Sequence, residues 1–497
     1  MVIQLSNFKT EFQITIGVIV LVFIINFIFN RFNNKFPPGP IGFPLLGYIP
    51  FLTRDVHLKF TELGKKYGDI FSVTLGSVTL VVLNKAEDIR EAFAKPEFNA
   101  RPPHTSFSIF DDKSPFFVSG VRIWQDQRRF VVHSLKNLGL GRTKIEGQIQ
   151  EEIREFINIL KTYRGDPMNL NIPLTSSMSN NICSLAFGKR YDYDDPERKM
   201  LDAGLHDVIK IIGQTASHIF FPWIRHFPFI LKMLKYDEGV KAFRRSHSLF
   251  WKKLEEHKET IDPDNIRDFI DGYLIEMRQR QKNDPYTTFN EETLIGCVGD
   301  LFGAGSESVR ATVSWCVYIM AAFRDVQKKV QQEISEVLLD EREPEFLDQK
   351  SMPYTHAVIL EVMRWKSIVP LNVPRYTTAD TTIGEYKIPK GTTVMANFWA
   401  VHHDPRHWED PDSFLPERFL EPDRKSIRKS SSYMPFSVGK RACPGETMAY
   451  MEVFLYFVSI LQNFNVMLPK EVKPTFEAEL TVTYQLKPYL VQFIPRN

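Results

Sequence analysis

Cys443 stands in the run Phe436-Ser-Val-Gly439-Lys-Arg441-Ala-Cys443-Pro-Gly445, directly ahead of a long apolar stretch with helical spacing. Five positions of the pattern F-x-x-G-x-R-x-C-x-G are filled, a match that average residue usage produces by chance roughly once in several thousand chains of this size. A thiolate needs N–H donors and positive potential to stay deprotonated. The free amides and dipole of a following helix supply both, with Arg441 two residues away. Gly439 and Gly445 carry no Cβ, so the backbone there can turn tightly and approach a flat ligand. The chemistry implied is presentation of one thiolate to a metal. A free cysteine is more often a small buried hydrophobe, and the frame around Cys443 is what tips the reading toward a ligand.

A lone thiolate beside a flat macrocycle reads as a heme-thiolate site, in which the sulfur pushes electron density onto iron and favours O–O cleavage. Phe436, Gly445 and the small Ala304 are then candidates for contact with the macrocycle. Trp124 and Arg128 fall one helical turn apart, where an indole N–H and a guanidinium can hold a carboxylate together. Arg375, after Val373-Pro374, and Arg441 are candidates for the same duty, since a guanidinium offers a fixed fork of donors. The run Asp300-Leu-Phe-Gly303-Ala304-Gly305-Ser306-Glu307-Ser308 places small residues where a cofactor and O2 must approach, and makes Glu307 and Ser308 candidates for proton delivery. Ser308 is expected to bond a preceding carbonyl, and Asp300 to make a structural hydrogen bond rather than to hold substrate.

These groups need a scaffold. The segment 291–323 contains no proline and predicts one helix of about 50 Å. Strands are expected at Ile70 to Leu75 and Ser77 to Leu83, turned by Gly76-Ser77, with further pairing around Thr381 to Ile388 and Gly391 to Ala396. Glu361 and Arg364 share a helix face, and Arg418 in Pro416-Glu-Arg-Phe419 completes a charge triad. The same E-x-x-R spacing recurs at Glu87/Arg90, Glu151/Arg154 and Glu421/Arg424, so its weight comes from its order in the chain. The fold class expected is mainly α with small β-sheets, in one large domain: length alone suggests about three, but no linker or repeat interrupts the chain after the first 40 residues. A net charge of +2 argues against bulk nucleic-acid binding. The 4 cysteines, widely spaced, suit a reducing compartment.

Residues 12 to 29 are almost wholly apolar, a length of about 18 that approaches the minimum for spanning a bilayer. Residues 1–30 are read as an uncleaved anchor helix, 31–48 as a basic, proline-rich hinge and 49–497 as the catalytic domain. Arg31 and Lys35 place the C-terminal side in the cytosol. A second apolar stretch, Ile219 to Ile224 with Phe227, Pro228 and Phe229, is equally suited to lipid contact or core packing.

In this order, the hinge, Trp124-x-x-x-Arg128, Ala304 to Ser308, Glu361-x-x-Arg364, Pro416 to Phe419 and the Cys443 loop resemble the cytochrome P-450 superfamily, from about Phe36 to Arg496. Arg101-Pro-Pro and Val369-Pro-Leu-x-Val-Pro-Arg375 resemble its microsomal animal and arthropod members. The resemblance implies heme b with Cys443 as proximal ligand, and Trp124, Arg128, Arg375 and Arg441 on the propionates. It implies a monooxygenase using O2 and electrons from NADPH through a membrane-bound flavoprotein reductase, in the endoplasmic reticulum membrane. Docking would use Arg122, Arg129, Lys136, Arg424, Lys425, Arg428, Lys429 and Lys440. The pocket would draw on residues 106–120, 205–212, 300–304, 368–373 and 480–483, mostly apolar, for a steroid or ecdysteroid, terpenoid, fatty acid or xenobiotic. A reductase-independent isomerase or dehydratase, and a non-catalytic heme binder, are the competing functions. The family usually has Thr where this chain has Ser308. Serine keeps the hydroxyl, so Ser308→Ala is expected to raise peroxide released per NADPH by about threefold or more, as loss of a proton-handling group does; unchanged coupling would remove Ser308 from that role.

Overall fold

The computed structural model describes residues 36–103, 114–117, 120–137, 143–215, 217–234, 236–339 and 342–496. The anchor expected over 1–30 lies outside the described residues, as do parts of the hinge and of the segment 106–120.

The longer helices are α1 (Val56–Tyr67), α2 (Ala86–Ala94), α3 (Val121–Asn137), α4 (Thr143–Thr162), α5 (Asn171–Phe187), α6 (Pro196–Thr215), α7 (Tyr236–Thr260), α8 (Phe269–Asn283), α9 (Glu291–Ala322), α10 (Arg324–Val337), α11 (Pro353–Lys366) and α12 (Glu446–Asn463). The strands are β1 (Ile70–Leu75), β2 (Val78–Leu83), β3 (Arg375–Tyr376), β4 (Thr381–Ile383), β5 (Tyr386–Ile388), β6 (Thr393–Ala396), β7 (Phe464–Met467), β8 (Ala478–Leu480), β9 (Tyr484–Leu486) and β10 (Gln492–Pro495). The mainly α reading with small sheets holds.

The unbroken helix expected from the absence of proline is α9, 32 residues long. Asn290 caps it by accepting from the Thr293 amide at 2.8 Å, and Glu291 and Glu292 face the positive end of its dipole. Thr312 to Ala321 are buried on every side, the mark of a helix running through a core rather than along it. It packs on α5, α11 and α12. Helix α12 is buried almost continuously from Tyr450 to Leu461.

The principal sheet runs β1-β2-β6-β3, with β2 and β6 parallel and the other pairs antiparallel. The expected hairpin is present, turned at Gly76 with φ +59°. A Cβ there would fall 2.4 Å from the Phe220 carbonyl oxygen, so conformation and packing both demand glycine. The β4–β5 hairpin also matches expectation; β7–β10 and β8–β9 are pairs of three or four residues without a period-two signature long enough to read.

The charge triad is assembled as expected. Arg364 grips Glu361 with a fork, Nε and Nη2 donating at 2.7 Å each, and both residues are fully buried. Arg418 Nε and the Leu415 amide donate to Glu361 Oε1 at 3.1 and 2.9 Å. Arg364 Nη1 reaches the carbonyl of His402 at 2.6 Å. The His402 ring continues the path: Nε2 accepts from the Met434 amide at 3.1 Å, so its proton sits on Nδ1, facing Ser367 Oγ at 2.7 Å. Burial, with Arg364 and His403 nearby, holds His402 neutral, well below the usual imidazole range. The triad thus anchors the segment that becomes the Cys443 loop. Arg364→Ala strands a buried carboxylate, a loss of about 3–5 kcal/mol to be read in denaturant midpoint and heme content. Because Lys cannot make the fork, Arg364→Lys is expected to recover little of it.

Candidate active site

The loop ahead of α12 is held by its own backbone. Ser437 and Gly439 have φ of +65° and +76°, and a Cβ on Gly439 would lie 2.1 Å from the Phe93 carbonyl oxygen. The Cys443 amide donates to the Phe436 carbonyl at 2.8 Å, closing the loop on itself. Gly445 is different from expectation: its φ of −97° suits any residue, and it serves as N-cap of α12 with open clearance beside the Cys443 sulfur. Cys443 keeps accessible surface, which belongs to the wall of an internal cavity of about 620 Å³. Burial pushes its thiol up, opposed by the Gly445 amide and the Arg128 guanidinium. Arg441, expected to supply that potential, is turned away from the sulfur. Its Nε donates to the Asn99 carbonyl at 2.8 Å and its Nη1 to that of Phe116 at 3.1 Å. Cys183 and Cys316 lie in the core, where burial pushes their thiols up and leaves them inert.

One edge of the cavity is crowded with cations. Trp124 and Arg128 project from one face of α3 into its lining, and the Arg441 guanidinium lies 3.8 Å from the Trp124 ring centroid. Arg375, on β3, is almost fully buried and stands behind the cavity wall rather than in it; its Nη2 donates to Ser437 Oγ, which does line the cavity, at 3.3 Å. Arg101 joins them, with Nη1 donating to the Val373 and Pro374 carbonyls at 2.8 and 2.9 Å. Burial lowers Arg441 to about 8, and Arg101 and Arg128 add to the push. Arg375 is pushed well below the usual range by burial and then by Arg101, Arg441 and Arg128. Guanidinium groups keep their protons in proteins, so this mutual repulsion is a standing cost that an anion would relieve. Trp124 Nε1, Arg375 Nε and Arg441 Nη2 are buried donors without a partner among the described residues. Donors in that state cost about 1–3 kcal/mol each. A ligand carrying two carboxylates on one edge and a metal at its centre meets both demands, and heme is such a ligand.

Arg101 was not among the residues singled out for this role. Its position depends on Ala100 bridging to Tyr376 beside β3, whose amide donates to the Ala100 carbonyl at 3.0 Å, a contact between residues far apart in sequence.

Above the sulfur runs α9. Ala304 is exposed to the cavity and a Cβ on Gly303 would meet nothing within 4 Å, but one on Gly305 would strike Ile182 Cδ1 at 2.5 Å. Gly303 therefore leaves room in the cavity, whereas Gly305 lets α5 approach. Ser308 Oγ donates to the Ala304 carbonyl at 2.7 Å, the expected back-bond. Glu307 lines the cavity yet is almost fully buried, gripped by Arg310. Asp300 accepts from Ser114 Oγ at 2.7 Å and the Phe116 amide at 3.0 Å, the structural role expected of it. The rest of the lining is largely apolar, including Ile182, Phe250, Leu301, Ile368, Val373 and Val482.

The family model described as Cytochrome P450 matches residues 37–493. The chain belongs to the cytochrome P450 family. It is 35% identical to Cytochrome P450 2J5 of Mus musculus over the whole of both chains. It is 36% identical to Cytochrome P450 2J2 of Homo sapiens, with 94% of this chain and 93% of that one covered, and 34% identical to Cytochrome P450 2U1 of Bos taurus, with 91% and 88% covered. This P450 is a heme-dependent oxidoreductase that consumes O2 and takes NADPH electrons from a separate reductase at the endoplasmic reticulum membrane. Among the described residues no helix is long and apolar enough to cross a membrane. Two exposed apolar segments nonetheless meet at the β1–β2 turn. The Gly76 amide donates to the Leu46 carbonyl at 3.0 Å and the Ser77 amide to that of Phe220 at 2.9 Å. Leu45 at 69% exposed, Phe229 at 65% and Met233 at 78% mark the surface on either side.

Reduced protein under carbon monoxide is expected to give a strongly red-shifted Soret band that Cys443→Ser abolishes. Arg441→Gln removes one charged donor, about 1.5–3 kcal/mol, and is expected to speed heme loss to apomyoglobin by about 10–100-fold.

Proposed function

We propose that Cys443 binds heme iron while Trp124, Arg128, Arg375, Arg441 and also Arg101 hold its propionates, and that Glu307 and Ser308 handle protons on the opposite face. The observation that carries this reading is the pairing, at one apolar cavity, of a sulfur that faces inward with a cluster of buried donors that have no hydrogen-bond partner among the described residues. Bound heme supplies the redox chemistry, with the thiolate favouring O–O cleavage. Phe436 and Ala304, both in the cavity wall, would contact the macrocycle, and the apolar side chains of the lining would exclude water and orient a lipophilic substrate. The balance is RH + O2 + NADPH + H+ giving ROH + H2O + NADP+, or an epoxide from an alkene. The rest of the lining is largely apolar, and the two protons of the second oxygen are assigned to the Glu307–Ser308 side of α9.

The exposed apolar segments around Leu45 and Phe229 rest on lipid, joined by the β1–β2 turn so that both meet the bilayer together. Leu45 itself belongs to the hinge read over 31–48, which follows in sequence the anchor expected over 1–30. Arg122, Arg129, Lys136, Arg424, Lys425, Arg428, Lys429 and Lys440 are all exposed for a reductase; Lys429 also lies over the Tyr450 ring at 4.9 Å, and Arg122 also faces Asp284 at 4.0 Å.

The test is turnover with reductase, NADPH and a panel of lauric acid, testosterone, farnesol and 7-ethoxycoumarin, one for each substrate class the lining admits. NADPH- and reductase-dependent oxygenated product from at least one is expected. Turnover of a lipid hydroperoxide without reductase, and of none of the panel with it, would instead establish an isomerase or dehydratase.

A further inference from the structure

Arg310 lies three residues beyond Glu307 on α9, and only 7% of it is exposed. Its Nε and Nη2 fork onto the Glu307 carboxylate at 2.9 and 2.7 Å. Nη1 donates to Asn171 Oδ1 on α5 at 3.0 Å, and Nη2 also reaches Gln485 Oε1 on β9. Glu307 Oε1 accepts a further bond from Thr483 Oγ1 at 2.9 Å. Thr483 belongs to the turn between β8 and β9, where the Thr481 amide donates to the Thr483 carbonyl at 3.1 Å and Gln485 Nε2 to Thr481 Oγ1 at 3.2 Å.

A buried ion pair alone says little beyond architecture. Two placements give this one a consequence. Glu307 and Ser308 line the cavity, and so do Leu480 to Thr483, so the acid and the turn tied to it meet the same ligand. A carboxylate has about four acceptor sites; Arg310 and Thr483 occupy both on Oε1 and one on Oε2, which leaves a single site for a water reaching toward Ser308. The acid's aim is therefore set by where Arg310 and the turn hold it, and it has no freedom to rotate while both bonds stand.

We propose that Arg310 is a positioning residue for proton delivery, which through Glu307 and Thr483 makes that delivery depend on the β8–β9 turn against which the substrate packs. The inference rests on the monooxygenase reading of Glu307 and Ser308. A substrate that leaves the turn in place keeps the carboxylate aimed, and reducing equivalents go to product. A substrate that displaces the turn stretches the Thr483–Glu307 and Gln485–Arg310 bonds together, and NADPH is spent on hydrogen peroxide. No atom of Arg310 exchanges a proton in this scheme.

The experiment compares wild type, Arg310→Gln, Arg310→Lys and Thr483→Val as full-length membrane proteins with reductase, using those of the four panel compounds that wild type oxygenates. Peroxide per NADPH, the solvent isotope effect on NADPH oxidation and the spectral binding constant are measured for each. Arg310→Gln is expected to raise the peroxide fraction by about threefold or more, with an altered isotope effect and binding changed by less than about twofold. Arg310→Lys should restore part of the coupling, and Thr483→Val, which spares the ion pair, should show the same change at smaller size. Wild-type coupling and isotope effect in both Arg310→Gln and Thr483→Val would overturn the proposal. Loss of the heme-thiolate spectrum in Arg310→Gln with wild-type coupling in Thr483→Val would also overturn it, by showing a purely structural pair. If wild type itself forms no product from any of the four, the monooxygenase reading fails along with this one, a result visible before any variant is made.

Discussion

Arg364 and Glu361 meet where no water reaches, and the rest of the site hangs from that contact. A guanidinium and a carboxylate taken out of water cost several kcal/mol each unless every donor and acceptor is used. Here the remaining donors are used on the carbonyls of His402, Pro411 and Ser413, and the remaining acceptor capacity on Leu415 and Arg418. The pair therefore acts less as a source of stability than as a template. It dictates the path of an irregular segment that has little regular hydrogen bonding of its own, and His402 passes that path on to Met434 and the Cys443 loop.

The electrostatics of the cavity follow a different logic. Around Glu361 the carboxylate is met by two guanidiniums of the chain itself, whereas Trp124, Arg375 and Arg441 keep buried donors unpartnered among the described residues. Folding brings like charges together in an apolar setting, a cost that the carboxylates of the proposed cofactor would offset. Heme binding and folding are thermodynamically linked in such an arrangement, since a ligand that binds only the native state stabilises it by mass action. On the far side of the cavity charge is again balanced internally, by Arg310 on Glu307. The protein thus separates an edge that awaits its cofactor from a face whose acid is already held.

The long prolineless helix, the two hairpins and the Cys443 loop were all legible because each is local: a cap, a turn glycine or a fixed spacing lies within a few residues of what it determines. E-x-x-R spacing occurs several times; Glu361/Arg364 is fully buried as a pair and Glu307/Arg310 nearly so, whereas Glu87 faces His407 at 3.6 Å near the surface. Order along the chain, not the pattern, separated them. Trp124, Arg128 and Arg375 were legible as residue types with the right donors, and the structure gathers them with Arg441 near the cavity. Arg101 was not, because its approach to Arg441 runs through the Ala100–Tyr376 bridge. Nor was the turning away of Arg441 from the sulfur, since the Asn99 and Phe116 carbonyls that attract it are remote in sequence.

The amino-acid sequence by itself determined the family, the thiolate, the mainly helical architecture and the apolar character of the pocket, because these depend on residue identity, short-range spacing and periodicity. Tertiary structure decided which side chains share charge: Arg128 rather than Arg441 beside Cys443, Arg310 on Glu307, and Gly305 packed on Ile182 while Gly303 stays open. The physical reason is one of range. Helix and turn propensities act over about four residues, whereas unscreened charges in a dry interior act over several ångströms of space however far apart they lie along the chain.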